Sequence, residues 1–452
     1  MLNFYKDYFT CVADKKKDYY TLVNKKTGDI FSINYIGLFV LKICETDSDE
    51  NEIIRKTLEN FNDINEDEVK DYIDQLINNS VLIVTDNTYP KKTFHIQWHI
   101  NQQCNLRCKH CYQEEYNNKT ELDFYEVTNI IDKYFDLIRK WDMIPEITFT
   151  GGEPLFRHDI FDIISYIKNK DSSSRIFILT NGTLVSEEIA YKLKKLGVSG
   201  VQISLDGPDQ ETHDYIRGTG NFQKAICGIK NLQNVGIWTS THYVLMKENY
   251  KLANDFVKLA SDLKINRTTF SRLVPIGNGV SSSVNMLEPD ELKKTLEEII
   301  LESNKYPDAY VNTERDLFRL IDSSYGSTCP VGDNTLTILS DGTVLPCRRF
   351  PVKIGNIRYE NFFEILLDSK LLNKMKTNTI DDCTSCNLKD MCKGGCQGLA
   401  FSYFGEYMEK ADPQCWRIYD KLPQKFSIDF EYDHLQAYYI MPLNEMKEKN
   451  LL

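Results

Sequence analysis

Apolar and polar positions follow two different rhythms along this chain, and the change between them falls near residue 90. Before it, residues 19–23 and 30–33 are β-rich runs flanking Asn24-Lys25-Lys26-Thr27-Gly28-Asp29, whose Gly-Asp suits a hairpin turn. Three helical segments follow: residues 35–44, a stretch around Ile53, Ile54 and Leu58, and a stripe of Val69, Tyr72, Ile73, Leu76 and Ile77 at helical spacing. Residues 81–84 read as one more strand. A hairpin, three helices and a closing strand predict a small winged-helix unit over residues 1–90.

From residue 91 strands and helices alternate. Strands are predicted at 94–100, 146–150, 175–179, 200–205, 237–245 and 267–273. The first intervening helix shows the logic: Val127, Ile130, Ile131, Tyr134, Phe135 and Ile138 form one apolar face, with Thr120 and Asp123 as its capping residues. Repeated βα units imply a parallel sheet with helices outside, so the chain is of the α/β class. Six units make a partial (β/α)6 TIM barrel over residues 91–285, and such a sheet places its chemistry at the carboxyl ends of the strands. A helix over 287–303, introduced by Glu288-Pro289-Asp290, opens a bridging helical region at 286–325. Residues 326–452 then form a cysteine-rich C-terminal domain.

The bulk numbers narrow the classes. A chain of 452 residues suggests several domains, and 42% hydrophobic with 27% charged residues is ordinary for a globular protein. No apolar run approaches the roughly eighteen residues needed to cross a membrane. The first twenty residues lack a charged start followed by an apolar core. A cytoplasmic protein with no membrane partner is therefore expected. The net charge of -12 argues against nucleic acid, and the acidic Asp47, Asp49, Glu50, Glu52, Glu66, Asp67 and Glu68 disfavour a DNA-binding winged helix. The thirteen cysteines change the picture most. Without an export signal they read as metal ligands rather than disulfides. Three lie at 104–111 and seven between 329 and 415, while Cys11, Cys44 and Cys227 stand apart and read as buried small residues.

Cys104, Cys108 and Cys111 are spaced CxxxCxxC just after the first predicted strand, the position of a catalytic loop. A structural zinc site would need four ligands, and no nearby fourth is evident. Three thiolates suit an iron–sulfur cubane with one iron left open. Four more features fall at strand ends: Gly151-Gly152-Glu153-Pro154, Thr180-Asn181-Gly182, Ser204-Leu205-Asp206-Gly207 and Pro275-Ile276-Gly277. Together with the cysteines, these motifs resemble those of the radical S-adenosylmethionine (SAM) enzymes across residues 94 to about 280. The resemblance implies a 4Fe-4S cluster on Cys104, Cys108 and Cys111, its open iron chelated by the amino and carboxylate groups of S-adenosyl-L-methionine. One-electron reduction of SAM would then give a 5'-deoxyadenosyl radical. It also implies a SAM pocket formed by Gly151, Gly152, Glu153 and Pro154, by Tyr112, Asn181 and Asp206, and by His110 near the adenine. Ser204 and Arg217 are candidates for the ribose and carboxylate ends; for Arg217 a surface ion pair is an equal alternative.

Further on come Cys329, then Gly342 and Cys347 around a Ser340-Asp341-Gly342 turn that predicts a hairpin, then Cys383, Cys386, Cys392, Cys396 and Cys415. Zinc knuckles would use such pairs too. Behind a radical SAM core, however, the spacing resembles the SPASM domain of peptide- and protein-modifying members. That resemblance assigns Cys383, Cys386, Cys392 and Cys415 to one auxiliary 4Fe-4S cluster and Cys329, Cys347 and Cys396 to another, three clusters in all. No eighth cysteine lies between Cys227 and Cys329, so the second auxiliary cluster would keep an open iron or take a non-Cys ligand. An open iron would bind a substrate thiol as thiolate.

The order of elements in residues 1–90, including Thr27-Gly28-Asp29-Ile30-Phe31-Ser32-Ile33-Asn34, resembles the PqqD-like recognition element that binds the leader of a precursor peptide by strand addition. The expectation is a peptide maturase forming a Cys-to-carbon thioether, as the sactionine and ranthipeptide synthases do, fed by a reduced donor such as flavodoxin or ferredoxin. The rivals are carbon–carbon cross-linking or another oxidation by the same machinery, maturation of an enzyme side chain as in sulfatase maturation, and a non-catalytic iron–sulfur binding protein. Residues 420–452, with Tyr432, Tyr438 and Tyr439, carry no interpretable motif.

Overall fold

The computed structural model describes residues 2–423 except 5–8, 14–18, 25–29, 46–48, 80, 85–91, 114–115, 118–119, 142, 281–284, 307–309, 314–316, 323–328, 332–333, 378–379 and 406–409. The turn expected at 25–29, the side chain of Cys11 and the three tyrosines beyond 430 lie outside the described residues. The chain divides into two compact units, residues 1–91 and 92–452.

In the first unit, β1 (Leu2–Asn3) precedes β2 (Phe9–Ala13), β3 (Tyr19–Asn24) and β4 (Ile30–Asn34), which form an antiparallel sheet in the order β2-β3-β4. Helices α1 (Tyr35–Ile43), α2 (Glu50–Asn60) and α3 (Glu66–Asn78) follow. Their apolar stripes, Val40 and Leu41, Ile53 and Ile54, and Val69, Ile73 and Leu76, close one core together with Leu22 and Ile33. Two helix starts are written in the sequence: Asn34 accepts from the Gly37 N–H, and Asn65 with Glu68 makes a full capping box. The strand expected at 81–84 is β5 (Ile83–Val84). It pairs with β1 rather than with the hairpin, so the wing expected from the strand order is absent from the three-stranded sheet. The sequence also gave no sign of β2, a short run whose partner is decided by pairing.

In the second unit all six expected strands are present: β6 (Thr93–Asn101), β7 (Ile144–Gly151), β8 (Arg175–Thr180), β9 (Gly200–Ser204), β10 (Trp238–Leu245) and β11 (Arg267–Arg272). They run parallel and adjacent in chain order. Outside them pack α4 (Phe124–Trp141), α5 (Ile160–Lys170), α6 (Glu187–Lys195), α7 (Gln210–Arg217), α8 (Asn221–Asn234), α9 (Ala253–Asp262) and α10 (Pro289–Ser303). This is a TIM-barrel-like partial barrel of the α/β class. Helix α4 buries seven apolar side chains on one face, each worth about 1.5–3 kcal/mol when fully withdrawn from water. Its start is capped by Asp123 and Glu126, each accepting the other's backbone N–H at 2.9 and 3.0 Å. Thr120 takes no part, and among the described residues its buried hydroxyl has no hydrogen-bond partner.

The sheet does not stop at six strands. On one edge β12 (Val311–Thr313), from the region expected to be a helical bridge, pairs parallel with β11. On the other, β13 (Thr335–Ile338) pairs parallel with β6 and carries the hairpin to β14 (Thr343–Leu345) and β15 (Gly355–Asn356). His95 links three strands, its ring nitrogens meeting Thr335 Oγ1 at 3.0 Å and Thr148 Oγ1 at 2.9 Å. The hairpin around Ser340-Asp341-Gly342 is thus built onto the barrel sheet. Short helices α11 (Phe362–Asp368), α12 (Lys370–Thr377), α13 (Lys389–Cys392) and α14 (Gln397–Phe404) complete the unit. Among the described residues no helix is long and apolar enough to cross a membrane.

Candidate active site

A cavity of about 320 Å³ opens at the carboxyl ends of the barrel strands and reaches inward as far as Arg267 at the start of β11, within the range of small-molecule sites. Cys104, Cys108 and Cys111 all line it. Each sulfur faces an N–H: the Leu106 amide at 3.4 Å from Cys104 Sγ, the Gln113 amide at 3.4 Å from Cys111 Sγ, and Arg217 Nη1 at 3.7 Å from Cys108 Sγ. Donors aimed at sulfur stabilise thiolate, the form a cluster needs. Without that charge burial dominates, pushing the Cys104 thiol up to about 12 and Cys108 to about 11. Among the described residues no three His, Cys, Asp or Glu side chains are drawn together as ligands of a single metal ion. A cubane, several atoms across, spreads its thiolates over its corners, so the donor set and its N–H partners fit an iron–sulfur cluster.

The Gly-Gly-Glu-Pro turn is held by groups that the sequence did not single out. The Gly152 N–H donates to Asn101 O at 2.9 Å, the Glu153 N–H to Gln103 O at 2.8 Å, and Asn101 Nδ2 to Glu153 O at 2.8 Å. Gly152 is required by this approach: a Cβ there would stand 2.1 Å from the Gln103 carbonyl. Glu153 is fully buried. Its carboxylate accepts from Thr180 Oγ1 at 2.7 Å, the Asn181 N–H at 2.8 Å and the Leu155 N–H at 3.1 Å, joining the end of β7 to the end of β8. Burial raises its pKa to about 6 against the pull of those donors. Pro154 opens the following 3₁₀ turn and is buried. Asn181 Nδ2 reaches Asn105 at 2.8 Å inside the cysteine loop, and Tyr112 donates to Gly151 O at 2.6 Å.

Asp206, Arg217 and His110 form a second buried group. Arg217 ends α7, and the helix stops there because Gly218 adopts φ 98°. Arg217 Nε donates to Asp206 Oδ2 at 2.6 Å, with both side chains buried, which overturns the surface ion pair. Asp206 Oδ1 also accepts the Val244 N–H at 2.8 Å. Burial pushes Asp206 up, but Arg217 and His110 outweigh it and hold the carboxyl at about 2. Burial lowers His110 to about 4, so it is neutral near pH 7; its Nε2 lies 3.4 Å from both Asp206 Oδ2 and Arg217 Nη2. Ser204 lines the same cavity.

The C-terminal cysteines are gathered less evenly. Cys383 and Cys415 are buried and Cys386 half-buried; burial, followed by its neighbours Cys415 and Cys386, raises Cys383 to about 11. Cys392 is buried at the end of α13. Asp412 fastens this region: its Oδ2 accepts the Cys396 N–H at 2.9 Å and its carbonyl the Cys415 N–H at 2.9 Å. The same carboxylate is gripped by Arg272 at the end of β11, at 2.8 and 2.7 Å, both partners buried. Cys347 Sγ accepts the Arg349 N–H at 3.4 Å, and the Arg349 side chain meets Cys396. Cys329 is exposed. Of the isolated cysteines, Cys44 is buried as expected. Cys227 is exposed, since Ala225, Gly228, Ile229 and Leu232 take the inner face of α8. Sequence reasoning missed Asn101, Arg272, Asp412, Arg348 and Arg349. Three of these left a signal: Arg272, the charge closing the otherwise uncharged interior of β11, and Arg348 and Arg349, the Arg pair directly after Cys347.

Residues 98–260 match the model of the radical SAM superfamily, and residues 329–388 match the SPASM iron-sulfur cluster-binding domain. The chain is 30% identical over 360 residues to Fe-coproporphyrin III synthase of Methanosarcina barkeri, covering 71% of this chain and 87% of that protein. It is 26% identical over 338 residues to mycofactocin maturase MftC of Mycolicibacterium smegmatis, covering 71% and 82%. In fold it is similar to Streptococcus suis SuiB bound to precursor peptide SuiA, with TM-score 0.58 and 17% identity over 92% of this chain and 100% of that one. With its thiol loop at the first strand end and its cysteine-rich extension, the chain belongs to the radical SAM superfamily and carries a SPASM domain.

Proposed function

We propose that this enzyme matures a ribosomally made peptide, capturing its leader through residues 1–90 and joining a cysteine sulfur to a carbon of the core peptide as a thioether. The observation that carries the reading is the shared cavity. Cys104, Cys108 and Cys111 line it together with Arg348 and Arg349, the residues directly after Cys347, so a radical source and a thiolate-bearing segment border one space. The likeness to SuiB supports the reading at the level of fold.

A 4Fe-4S cluster on Cys104, Cys108 and Cys111 supplies, when bound, the electron that splits SAM into methionine and a 5'-deoxyadenosyl radical. The chain's own residues position and shield. Glu153 locks the Gly151-Gly152 backbone against the end of β8, so that turn would receive the methionyl group without rearranging. Asp206 orients Arg217 beside Cys108, where its guanidinium suits a carboxylate. Ser204, His110, Tyr112 and Asn181 line the same cavity; Ser204 would offer a hydroxyl to the ribose, and the neutral ring of His110, with Tyr112 and Asn181, would serve the adenine. Cys383, Cys386, Cys392 and Cys415 would hold one auxiliary cluster and Cys329, Cys347 and Cys396 another, whose missing fourth thiolate leaves room for the substrate sulfur. Reduced flavodoxin or ferredoxin serves as donor, and the protein works in the cytoplasm.

A second reading, a porphyrin as substrate, is favoured by the 30% identity to Fe-coproporphyrin III synthase. A search for a short cysteine-containing peptide encoded beside this protein, and coexpression with it, separates the two; no such peptide overturns the thioether. A mass loss of two hydrogens with a blocked thiol is expected. An unmodified peptide, or the same loss with the thiol free, overturns the thioether. Removing residues 1–90 should weaken peptide binding and preserve uncoupled SAM cleavage; unchanged affinity overturns leader capture.

A further inference from the structure

Among the described residues five arginines line the cavity, Arg217, Arg267, Arg272, Arg348 and Arg349, and no Asp or Glu does. Two of them already hold carboxylates, Arg217 that of Asp206 and Arg272 that of Asp412. Arg349 is turned to Cys396, and Arg267 stands at the opposite end of β11 from Arg272. Arg348 differs. Its guanidinium lies 4.1 Å over the ring of Tyr112, and among the described residues it has no carboxylate partner. A π face attracts a cation without cancelling its charge, and a half-buried cation lacking a counter-charge is poorly solvated. Its planar fork of five N–H donors matches the two oxygens of a carboxylate. Because Tyr112 follows Cys111 and donates to Gly151 O, this fork stands beside the SAM-side turn.

We propose that Arg348 anchors a carboxylate of the substrate, and that the molecule drawn into the cavity is anionic there: a peptide segment presenting an Asp or Glu side chain or its C-terminal carboxylate. The word peptide rests on the function proposed above; the anion rests on the arginines alone. The methionyl carboxylate of SAM is the other source of the same chemistry, and the test separates them.

Anaerobically reconstituted full-length enzyme is treated with phenylglyoxal, and the modification rates of Arg348 and Arg267 are read by peptide mapping. The additions are SAM alone, then SAM with N-acetylglutamate α-methylamide, with its glutamine counterpart, or with N-acetylalanylalanine. SAM alone should leave Arg348 reactive. At least one carboxylate probe should slow its modification by about threefold or more, as a charge-assisted bidentate contact would, while the amide leaves it unchanged and Arg267 reacts as before. The side-chain and terminal probes then tell which carboxylate fits. Full protection by SAM alone, equal protection by the amide, parallel protection of Arg267, or no protection at all would each overturn the proposal. The readout sits on the enzyme, so it can fail while the thioether product is still found, and the thioether can fail while Arg348 is still protected.

Discussion

The two cysteine regions of the second unit are built on opposite principles. In the loop at 104–111 the three cysteines lie within eight residues, and two of the three sulfurs take their N–H from a residue two positions on. In the C-terminal region the cysteines run from Cys329 to Cys415 across a hairpin and short helices. Their backbone is fastened by a long-range contact, the Arg272 grip on Asp412 across 140 residues of sequence. The first arrangement is local and needs only a strand end to stand on. The second exists only once the barrel has formed.

The largest effect should come from breaking the local site. Replacing Cys104, Cys108 and Cys111 together by Ala should abolish 5'-deoxyadenosine formation while the iron bound through the C-terminal cysteines is retained. Residual SAM cleavage would show that the two regions are not separate in function. Breaking the long-range tether should do the reverse. Asp412→Asn leaves Arg272 buried against a neutral amide, a loss of about 3–5 kcal/mol. It should lower the iron bound by the C-terminal region and the denaturant midpoint, with SAM cleavage surviving. If iron content is unchanged, the tether positions nothing.

Glu153→Gln is a smaller test, on the barrel side. An amide nitrogen would face the N–H and O–H donors of Asn181, Leu155 and Thr180, a mismatch worth about 1–3 kcal/mol. The KM for SAM should rise with the auxiliary iron unaltered. The smallest effect is expected far from either site: Asp123→Ala removes the cap of α4 and should cost about 1 kcal/mol of stability with kinetics unchanged. A change in SAM turnover there would mean that α4 transmits strain to β6 and β7.

The same contrast explains how much could be read beforehand. The barrel strands were legible where buried apolar residues recur at strand spacing and an amphipathic helix follows, as Phe94, Ile96, Trp98 and Ile100 and then α4 illustrate. The thiol loop and the Gly-Gly-Glu-Pro turn were legible because their spacing is itself the chemistry. Strand β12 escaped because it has three residues, too few for a pattern. The joining of β13 to β6 escaped because parallel pairing across some 240 residues leaves no trace in either segment alone. The wing failed for a related reason: a two-residue strand at 83–84 can pair with any free edge, and it chose Leu2–Asn3.

By itself the sequence determined the α/β barrel, the three closely spaced cysteines on its first loop and the cysteine-rich extension, since periodicity and residue spacing are local properties of a chain. Only the tertiary structure decided the rest. It buried Arg217 against Asp206, set the Glu153 carboxylate among donors from two strands, tied Asp412 to Arg272, and brought Arg348 over Tyr112. Each of these is a charge whose partner lies elsewhere in the chain. Such a charge stays buried only when folding brings it a counter-charge, a hydrogen bond or an aromatic face, and no stretch of sequence read alone says which it will be.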